Sequence, residues 1–282
     1  MSKIFTMLLL MIAFKTGFAQ VEEKTSQTGD KFPKAEAIKP QKTQFDVTVS
    51  LKNQHYWRGG PIGYSPLVTS QTSLKSATGL EVGTWNGFGF DGIFKDVDTY
   101  ISFSKSGVTL ALWDVYNFTN PNSGYADPAT FPSEYFDYDS KTTRHFLDLS
   151  LAYDFKKIPL SLFAATIVYG RDRSMDPSKD VVGEKFVGTR SGKNRYSTYT
   201  KAAYTVKTSK ADFTPYVSYG FVFNNVDESS FWGKKANGFT EVGFNVGKSI
   251  KVTDTWSMSV SAGIVASPMN NTANGLVSLT LF

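Results

Sequence analysis

Cysteine is absent from the chain, and its absence excludes several classes of functional site. Disulfide scaffolds, thiolate metal centres and cysteine nucleophiles all depend on a residue type that is missing. Histidine is almost as scarce, since His55 and His145 are its only two occurrences. Two histidines without cysteine do not make a metal-binding cluster. We therefore predict no metal site and no cofactor.

Long apolar runs are also missing after residue 19. A transmembrane helix needs roughly 20 consecutive apolar residues, so a helical membrane protein is excluded. The mean hydropathy of −0.22 is that of a soluble protein, yet aromatic residues reach 15% and there are 23 glycines. A transmembrane β-barrel combines these properties, because only every second residue of each strand faces lipid.

The first residues have the pattern of a secretion signal. Lys3 precedes an apolar run from Ile4 to Phe14, which is too short to span a bilayer, and Gly17 and Ala19 occupy the small-residue positions of a cleavage site. Gln20 to Lys42 is polar and lacks periodicity. We expect a signal peptide over residues 1–19, a disordered periplasmic leader over 20–42 and a barrel over 43–282.

From Thr43 onward, apolar and polar residues alternate with a period of two. The clearest case is Trp256, Met258 and Val260, which are interleaved with serines. This period indicates strands with one apolar face. We predict an all-β fold, a transmembrane antiparallel up-and-down β-barrel of about twelve strands. The predicted strands cover residues 43–56, 64–76, 79–90, 96–106, 107–119, 141–156, 159–170, 194–208, 211–225, 237–250, 254–266 and 273–282.

Short and long connections alternate between the predicted strands. Tight turns such as 76–79 and 208–211 are followed by longer links such as 120–140 and 171–193. This alternation is typical of outer-membrane barrels, which have short periplasmic turns and long outer loops. We therefore expect the outer membrane of a Gram-negative bacterium. The C-terminal Phe282 is expected to be read by the barrel-assembly machinery.

Aromatic residues near the predicted strand ends suggest the two girdles that face the membrane interfaces. The outer girdle is predicted to contain Tyr56, Trp57, Trp113, Tyr116, Tyr169 and Phe223, with His55 as a further member. The periplasmic girdle is predicted to contain Phe45, Tyr153, Phe155, Phe213 and Trp256.

Two segments of the first predicted hairpin resemble a known family. Tyr56-Trp57-Arg58-Gly59-Gly60 is followed by Gly79-Leu80-Glu81-Val82-Gly83-Thr84-Trp85-Asn86. This resembles the opening of the TorF-like putative porin family, in which an aromatic-aromatic-Arg-Gly element precedes a Gly-x-x-x-Gly-x-Trp strand. The rest of the chain agrees with the family in architecture only. The resemblance implies an outer-membrane barrel of porin type.

Charged residues on the predicted inner face are the candidate site. Arg58 comes first, because a guanidinium at a constriction binds carboxylate or phosphate groups. It could equally brace the wall by pairing with an acid. The acids considered are Glu81, Asp98, Asp148 and Glu241, and the full predicted pore lining is Lys52, Arg58, Glu81, Asp98, Arg144, Asp148, Lys201 and Glu241. This mixture of charges predicts either a polar, weakly selective pore or a lumen closed by salt bridges.

The predicted function is that of a porin-like passive channel for small polar solutes, surrounded by outer-membrane lipids. Removing the predicted signal peptide takes away Lys3 and Lys15 and lowers the formal net charge from +5 (30 − 25) to +3 (28 − 25), which is too small and too evenly spread to indicate nucleic acid as a partner. The alternative is a barrel without a channel that displays recognition or adhesion loops. Link 120–140 carries aromatic residues that could bind sugars, but we expect them to pack as a plug. They are Tyr125, Phe131, Tyr135, Phe136 and Tyr138.

An enzyme is the third possibility, because some barrels of this size are hydrolases. Such an enzyme needs a histidine beside a serine nucleophile. His145 is predicted to face lipid near the outer leaflet, and its neighbour on the same face is Leu147. We therefore expect no catalytic activity.

Overall fold

A computed structural model of the chain describes residues 43–119, 134–182, 185–186, 190–233, 235–254 and 256–281. The predicted signal peptide 1–19, the predicted leader 20–42, most of link 120–140 and Phe282 lie outside these residues. Within the described ranges, no helix has the length and apolar character needed to cross a bilayer, a finding that does not concern β-barrels.

Twelve long strands form the body of the molecule, as the sequence predicted. Their bounds are β1 Gln44–Lys52, β2 Leu67–Lys75, β3 Leu80–Gly89, β4 Lys95–Lys105, β5 Val108–Asn117, β6 His145–Asp154, β7 Leu160–Gly170, β8 Ser197–Tyr204, β9 Asp212–Val222, β10 Gly238–Lys251, β11 Ser257–Ser267 and β12 Thr272–Thr280. Short elements also occur in the links, namely the strands His55–Trp57, Gly60–Gly63, Val181–Val182 and Lys185–Phe186, the helix Pro177–Asp180, and Val206–Lys207, which continues β8 beside β9.

The sheet closes on itself. Each long strand is antiparallel to its neighbours in sequence, and β12 returns to pair with β1 through Ser50–Thr280, Leu51–Leu279 and Lys52–Ser278. The prediction of a closed antiparallel barrel of about twelve strands is therefore confirmed. Closure leaves no sheet edge, and a sheet in hydrocarbon must have none, because unpaired backbone groups are costly there.

We call the pairing of β1 with β12, which closes the barrel, the seam. Its backbone pairing covers three residue pairs, and the side chain of Asn53 extends it. Beyond Lys52 the chain leaves the wall, but Asn53 continues the pairing. Its backbone N–H donates to Val277 O at 3.1 Å. Its side chain accepts from the Val277 N–H at 2.8 Å and donates to Gly275 O at 2.8 Å. The Asn53 amide thus takes the place of a peptide group that β1 no longer supplies.

The outer face of the barrel is apolar and exposed. On β10, Val242, Phe244 and Val246 are 36–48% exposed, whereas the intervening Asn245 is only 5% exposed. Similar residues surround the barrel, including Phe45, Val47, Leu74, Val82, Phe103, Leu110, Leu149, Leu162, Val217, Ile264 and Val277. A continuous apolar belt of this extent is the surface that a lipid-facing barrel presents.

The inner face combines polar residues with a cluster of large aromatic side chains. Trp85, Trp113 and Tyr199 are all buried, and the rings of Trp113 and Tyr100 stack at 4.1 Å. The prediction that Trp113 belongs to the outer girdle was wrong. Both faces of β5 are apolar, so its phase could not be read from hydrophobicity alone. A barrel of this width has room for bulky inward side chains.

The predicted alternation of short and long connections holds in part, because four of the six links at one end of the barrel are long, whereas the links 90–94 and 268–271 are no longer than the turn 155–159 at the other end. β2–β3, β4–β5, β6–β7, β8–β9 and β10–β11 are joined by short turns at one end of the barrel. The longer links lie at the other end, and the longest span 118–144 and 171–196. We call these the short-link end and the long-link end. In outer-membrane barrels they correspond to the periplasmic and outer sides.

Candidate functional site

The first long link folds into the barrel as a hairpin. His55–Trp57 pairs antiparallel with Gly60–Gly63, and we call residues 55–63 the inner hairpin. Its two-residue turn consists of Arg58 and Gly59, with φ angles of 44° and 103°. Positive φ at both central positions is the geometry of a type I′ turn, which glycine adopts without strain.

The inner hairpin is packed against the inside of the wall. The His55 ring lies 5.3 Å from that of Trp85 and 4.7 Å from that of Phe94, and His55 and Tyr56 are buried. The prediction that His55, Tyr56 and Trp57 form part of the outer girdle was therefore wrong. The period of two appeared to continue past Lys52, but the chain turns inward there and leaves the wall.

Arg58, at the tip of the inner hairpin, binds the wall on the far side of the barrel at β6. Its Nη1 and Nη2 donate to Oδ1 and Oδ2 of Asp148 on β6, at 3.1 and 2.6 Å. The two side chains are 6% and 0% exposed. This is a paired, two-hydrogen-bond contact, the strongest geometry available to an arginine and a carboxylate. Four acids were predicted as possible partners of Arg58, and in the structure the partner is Asp148.

Aromatic rings surround the Arg58 guanidinium. Its central carbon lies between 4.7 and 5.4 Å from four ring centroids, those of Trp57, Phe163, Tyr199 and Trp232. Cations are attracted to ring faces at such distances, and the attraction is stronger where water is excluded. The charge is therefore stabilised both by Asp148 and by the rings.

Glu241 on β10 holds the other residue of the turn. Its Oε1 accepts from the Gly59 N–H at 2.9 Å, and its Oε2 accepts from the Tyr199 hydroxyl at 2.7 Å. Lys201 Nζ lies 3.8 Å from the same Oε2. The backbone of the turn and two wall residues thus share one buried carboxylate.

Asn270 completes the attachment of the hairpin and was not predicted from the sequence. Its Nδ2 donates to Gly59 O and to Trp232 O, both at 2.9 Å. Trp232, also missed, lies in the link between β9 and β10. A lone asparagine and a tryptophan in separate links carry no sequence pattern, so only the folded chain shows that they meet.

The remaining predicted lining residues lie elsewhere. Glu81 is near the short-link end, where its Oε1 accepts from the Tyr100 hydroxyl at 2.6 Å and Lys75 lies 3.9 Å away. Lys52 is half-buried at the end of β1. Asp98 and Arg144 are nearer the long-link end. Four of the eight predicted residues therefore meet at the inner hairpin, namely Arg58, Asp148, Lys201 and Glu241.

A cavity of about 310 Å³ lies between the inner hairpin and the long-link end. Its lining includes four arginines, two acids and several aromatic rings. The arginines are Arg144, Arg171, Arg190 and Arg195, and the acids are Asp96 and Asp98. Arg144 Nη2 donates to Thr119 O at 3.1 Å, and this hydrogen bond holds the Arg144 side chain at the long-link end of the barrel.

Arg195 is held by two acids in the links. It donates from Nε and Nη2 to Asp227 at 3.0 and 2.5 Å, and Asp172 Oδ1 lies 3.9 Å from its Nη1. Burial raises the pKa of the Asp172 carboxyl to about 6, although hydrogen bonds from Ser197 and the charge of Arg195 oppose this. Burial by itself would also raise the pKa of the Asp227 carboxyl. The hydrogen bonds from Arg195 and Ser229 have the larger effect, so the pKa of Asp227 is lowered.

His145 lies on the outer face of the wall, as its position on β6 predicted, but it does not face lipid. Its Nδ1 is 2.7 Å from Asp114 Oδ1 and its Nε2 is 2.6 Å from Tyr135 O. The Tyr138 ring stacks on it at 4.3 Å. The lipid-facing prediction was wrong because the segment before β6 folds back over the histidine.

The same segment corrects the plug prediction for Tyr135 and Tyr138 of link 120–140. The Tyr138 hydroxyl donates to Asp114 Oδ2 at 2.6 Å, and Asp114 lies between the inward-facing Trp113 and Val115, so it points outward. Tyr135 and Tyr138 therefore pack on the outside of the wall. Tyr125 and Phe131 lie outside the described residues. Among the described residues, the inner hairpin and Trp232, from the link between β9 and β10, lie in the lumen.

Comparison with solved structures finds other outer-membrane barrels. The chain is similar to the KdgM porin (11% identity, TM-score 0.41, covering 84% of this chain and 99% of that one). It is similar to the NanC porin (9% identity, TM-score 0.45, covering 83% and 98%). It is also similar to the COG4313 outer membrane channel from Pseudomonas putida F1 (11% identity, TM-score 0.42, covering 87% and 96%). Likeness at this level concerns the barrel fold and carries nothing about a solute.

No protein-family model and no curated protein matches the chain. The TorF-like resemblance is therefore not confirmed. The residues that carry it have a structural role all the same, because Arg58 and Gly59 are the turn of the inner hairpin.

Proposed function

We propose that the chain is a porin-like passive channel for small polar solutes in the outer membrane of a Gram-negative bacterium. The observation that carries this proposal is the inversion of the two faces of a closed barrel. Exposed apolar residues surround the outside, whereas buried charged residues such as Asp148 and Glu241 lie inside. In lipid, this arrangement places a polar passage inside an apolar wall.

The inner hairpin forms the constriction of this channel. It crosses from β1 to β6 and β10, where Arg58 and Gly59 are bound by Asp148 and Glu241. The proposed pore lining is the set of charged residues predicted from the sequence, namely Lys52, Arg58, Glu81, Asp98, Arg144, Asp148, Lys201 and Glu241. Within it, Arg58, Asp148, Lys201 and Glu241 surround the constriction, and Asp98 and Arg144 lie on its long-link side. Because acids and bases are mixed there, selectivity is weak and passage is limited to small solutes.

The remaining partners follow from this location. Outer-membrane lipids contact the apolar belt, and the barrel-assembly machinery reads Phe282 during insertion. The Tyr56-Trp57-Arg58-Gly59 element supports a relationship to the TorF-like putative porins, which forms part of the proposal. Catalysis, a cofactor and nucleic acid have no part in the proposal.

Planar-bilayer recording tests the channel directly. Purified barrel should give discrete conductance steps smaller than those of open barrels of 16–18 strands, with a small reversal potential in a salt gradient. A variant in which residues 55–63 are replaced by a Gly/Ser linker of equal length should conduct more. If both proteins insert but remain electrically silent, the channel is excluded and the loop-displaying barrel takes its place.

A further inference from the structure

The short-link end of the barrel is basic on one side. Between β6 and β11, its described turns and strand ends carry six exposed lysines, which we call the basic arc. They are Lys156, Lys157, Lys207, Lys210, Lys248 and Lys251. Two acids lie among them, Asp212 and Asp254. Across the barrel, the turn between β2 and β3 is Ser76-Ala77-Thr78-Gly79, which has no charged residue.

Neighbouring turns bring these lysines together. The Thr205 N–H donates to Pro159 O at 2.9 Å, so the turn between β6 and β7 touches the end of β8. On the other side of that strand end, Asp212 of β9 pairs with Gly247 of β10. The next position along this register sets Lys248 beside the turn between β8 and β9. The basic arc is therefore one continuous surface.

Lys248 shows where this surface meets the membrane. It follows Val246 on the outward-facing row of β10, and Ile250, the next residue of that row, is 38% exposed. A lysine within an apolar row extends its side chain so that the ammonium group reaches the headgroup layer of the bilayer. The boundary of the bilayer therefore passes close to Lys248.

Other lysines of the basic arc also lie beside exposed apolar residues. Ile158, which follows Lys157, is 46% exposed, and Val206, at the end of the β8 extension, is 44% exposed. Within the described part of the chain, Lys251 is the one member of the arc that contacts an acid, since its Nζ lies 2.7 Å from Asp254 Oδ1. Cations beside apolar side chains suit a partner that offers both anionic groups and hydrocarbon.

We propose that the basic arc binds the anionic headgroups of phospholipids in the leaflet at the short-link end, which is the periplasmic leaflet in outer-membrane barrels. The ammonium groups attract the lipid phosphates, while the neighbouring apolar residues contact the acyl chains. A soluble anionic polymer would use the charges but not Ile158 and Val206, so a lipid fits the surface better. The inference goes beyond the proposed channel, because it requires a barrel in a membrane but not conduction.

Trp256 provides the measurement. It is 37% exposed at the start of β11, and the other four tryptophans pack inside the barrel. Quenching of fluorescence by lipids with brominated acyl chains therefore reports the lipid beside the basic arc. In phosphatidylcholine vesicles, a small fraction of brominated phosphatidylglycerol should quench at least about two-fold more than the same fraction of brominated phosphatidylcholine. At about 1 M salt, where charges are screened beyond about 3 Å, this preference should disappear.

Two double variants test the lysines themselves. Lys210→Gln with Lys248→Gln should lose most of the preference for phosphatidylglycerol. Lys193→Gln with Lys235→Gln is the matched control, since it removes two exposed lysines at the long-link end and should keep the preference. Folding of each variant is checked by its electrophoretic shift on heating.

The proposal is overturned if both brominated lipids quench the wild type equally at low salt, or if the folded Lys210→Gln, Lys248→Gln variant keeps the wild-type preference. Equal quenching together with lysine-dependent retention on purified peptidoglycan would assign the basic arc to that polymer instead. No current is measured in this assay. A barrel that prefers phosphatidylglycerol but is silent in planar bilayers therefore rejects the channel alone, and one that conducts without the preference rejects the lipid site alone.

Discussion

The Arg58 guanidinium donates two hydrogen bonds to Asp148 across 90 residues of sequence. One partner belongs to a hairpin turn and the other to the wall of the barrel. This contact helps to fix the position of the inner hairpin, and among the described residues Glu241, Asn270 and the surrounding rings hold the same turn as well. The width of the proposed channel should therefore depend in part on this ion pair.

Asp148→Asn should loosen the inner hairpin. Removing one partner of a buried ion pair costs roughly 3–5 kcal/mol, because the other charge stays buried and uncompensated. We expect larger or more frequent conductance steps in planar bilayers. Asp154→Asn is the control, since Asp154 is a buried acid on the same face of β6 and nearer the short-link end. Equal conductance of wild type and Asp148→Asn would show that the hairpin does not limit passage.

Gly59→Ala should destabilise the barrel, whereas Gly60→Ala should not. An added Cβ at Gly59 would lie 3.0 Å from Thr240 Cβ, and its φ of +103° strains any other residue. Strain of this kind costs roughly 1–3 kcal/mol. At Gly60 an added Cβ meets nothing within 4 Å. The midpoint of heat-induced unfolding, followed by electrophoretic mobility, should fall for Gly59→Ala only. A matching decrease in both variants would contradict the turn geometry.

Asn53→Ala should weaken the seam between β1 and β12. The substitution removes the acceptor of the Val277 N–H and a donor to Gly275 O, and each lost hydrogen bond is worth roughly 1 kcal/mol. Amide hydrogen exchange should accelerate at Val277 and its neighbours. Asn274→Ala is the control. Asn274 lies on β12, the strand that contains Val277, and its Nδ2 has no hydrogen-bond partner among the described residues. Unchanged exchange in Asn53→Ala would mean that the backbone pairs alone hold the seam.

His145→Ala should release the segment that covers it on the outer wall. The variant loses the contacts of the imidazole with Asp114 and Tyr135 O and the stacking with Tyr138. The segment should then open locally more often, so limited proteolysis in detergent should cut within residues 134–143 roughly several times faster than in the wild type. Phe136→Ala, whose ring is 88% exposed, should leave the rate unchanged. If His145→Ala resists cleavage like the wild type, other contacts hold the segment.

The strands were predictable because barrel walls repeat one simple rule. Alternation located all twelve, with ends that differ by a few residues from those observed. The alternation of short and long links was predicted only in part, because the links 90–94 and 268–271 are as short as the turns at the opposite end. Asp148 and Glu241 were placed on the inner face, because their strands have a single clearly apolar face. β5 shows the limit of the rule, since Leu110 and Trp113 are both large and apolar but point in opposite directions.

The inner hairpin could not be predicted, although its turn was recognised. Gly59, Gly60 and Pro61 indicated a sharp change of direction, but nothing local to them shows whether the chain turns inward or outward. The direction depends on distant partners, namely Asp148, Glu241 and Asn270. For the same reason His145 was misjudged, because the segment that covers it was expected to form a plug.

The absence of native cysteine makes the most direct test of the fold simple, since each introduced cysteine is the only reactive thiol. Single cysteines at positions 242 to 246 can carry nitroxide labels in lipid vesicles. Labels at Val242, Phe244 and Val246 should collide with lipid-soluble oxygen, because these side chains face the bilayer. The label at Asn245 should instead be shielded from oxygen in the bilayer. If Asn245 collides with oxygen as readily as Val246, or if all five positions react equally with a water-soluble relaxation agent, the barrel does not present its apolar face to lipid.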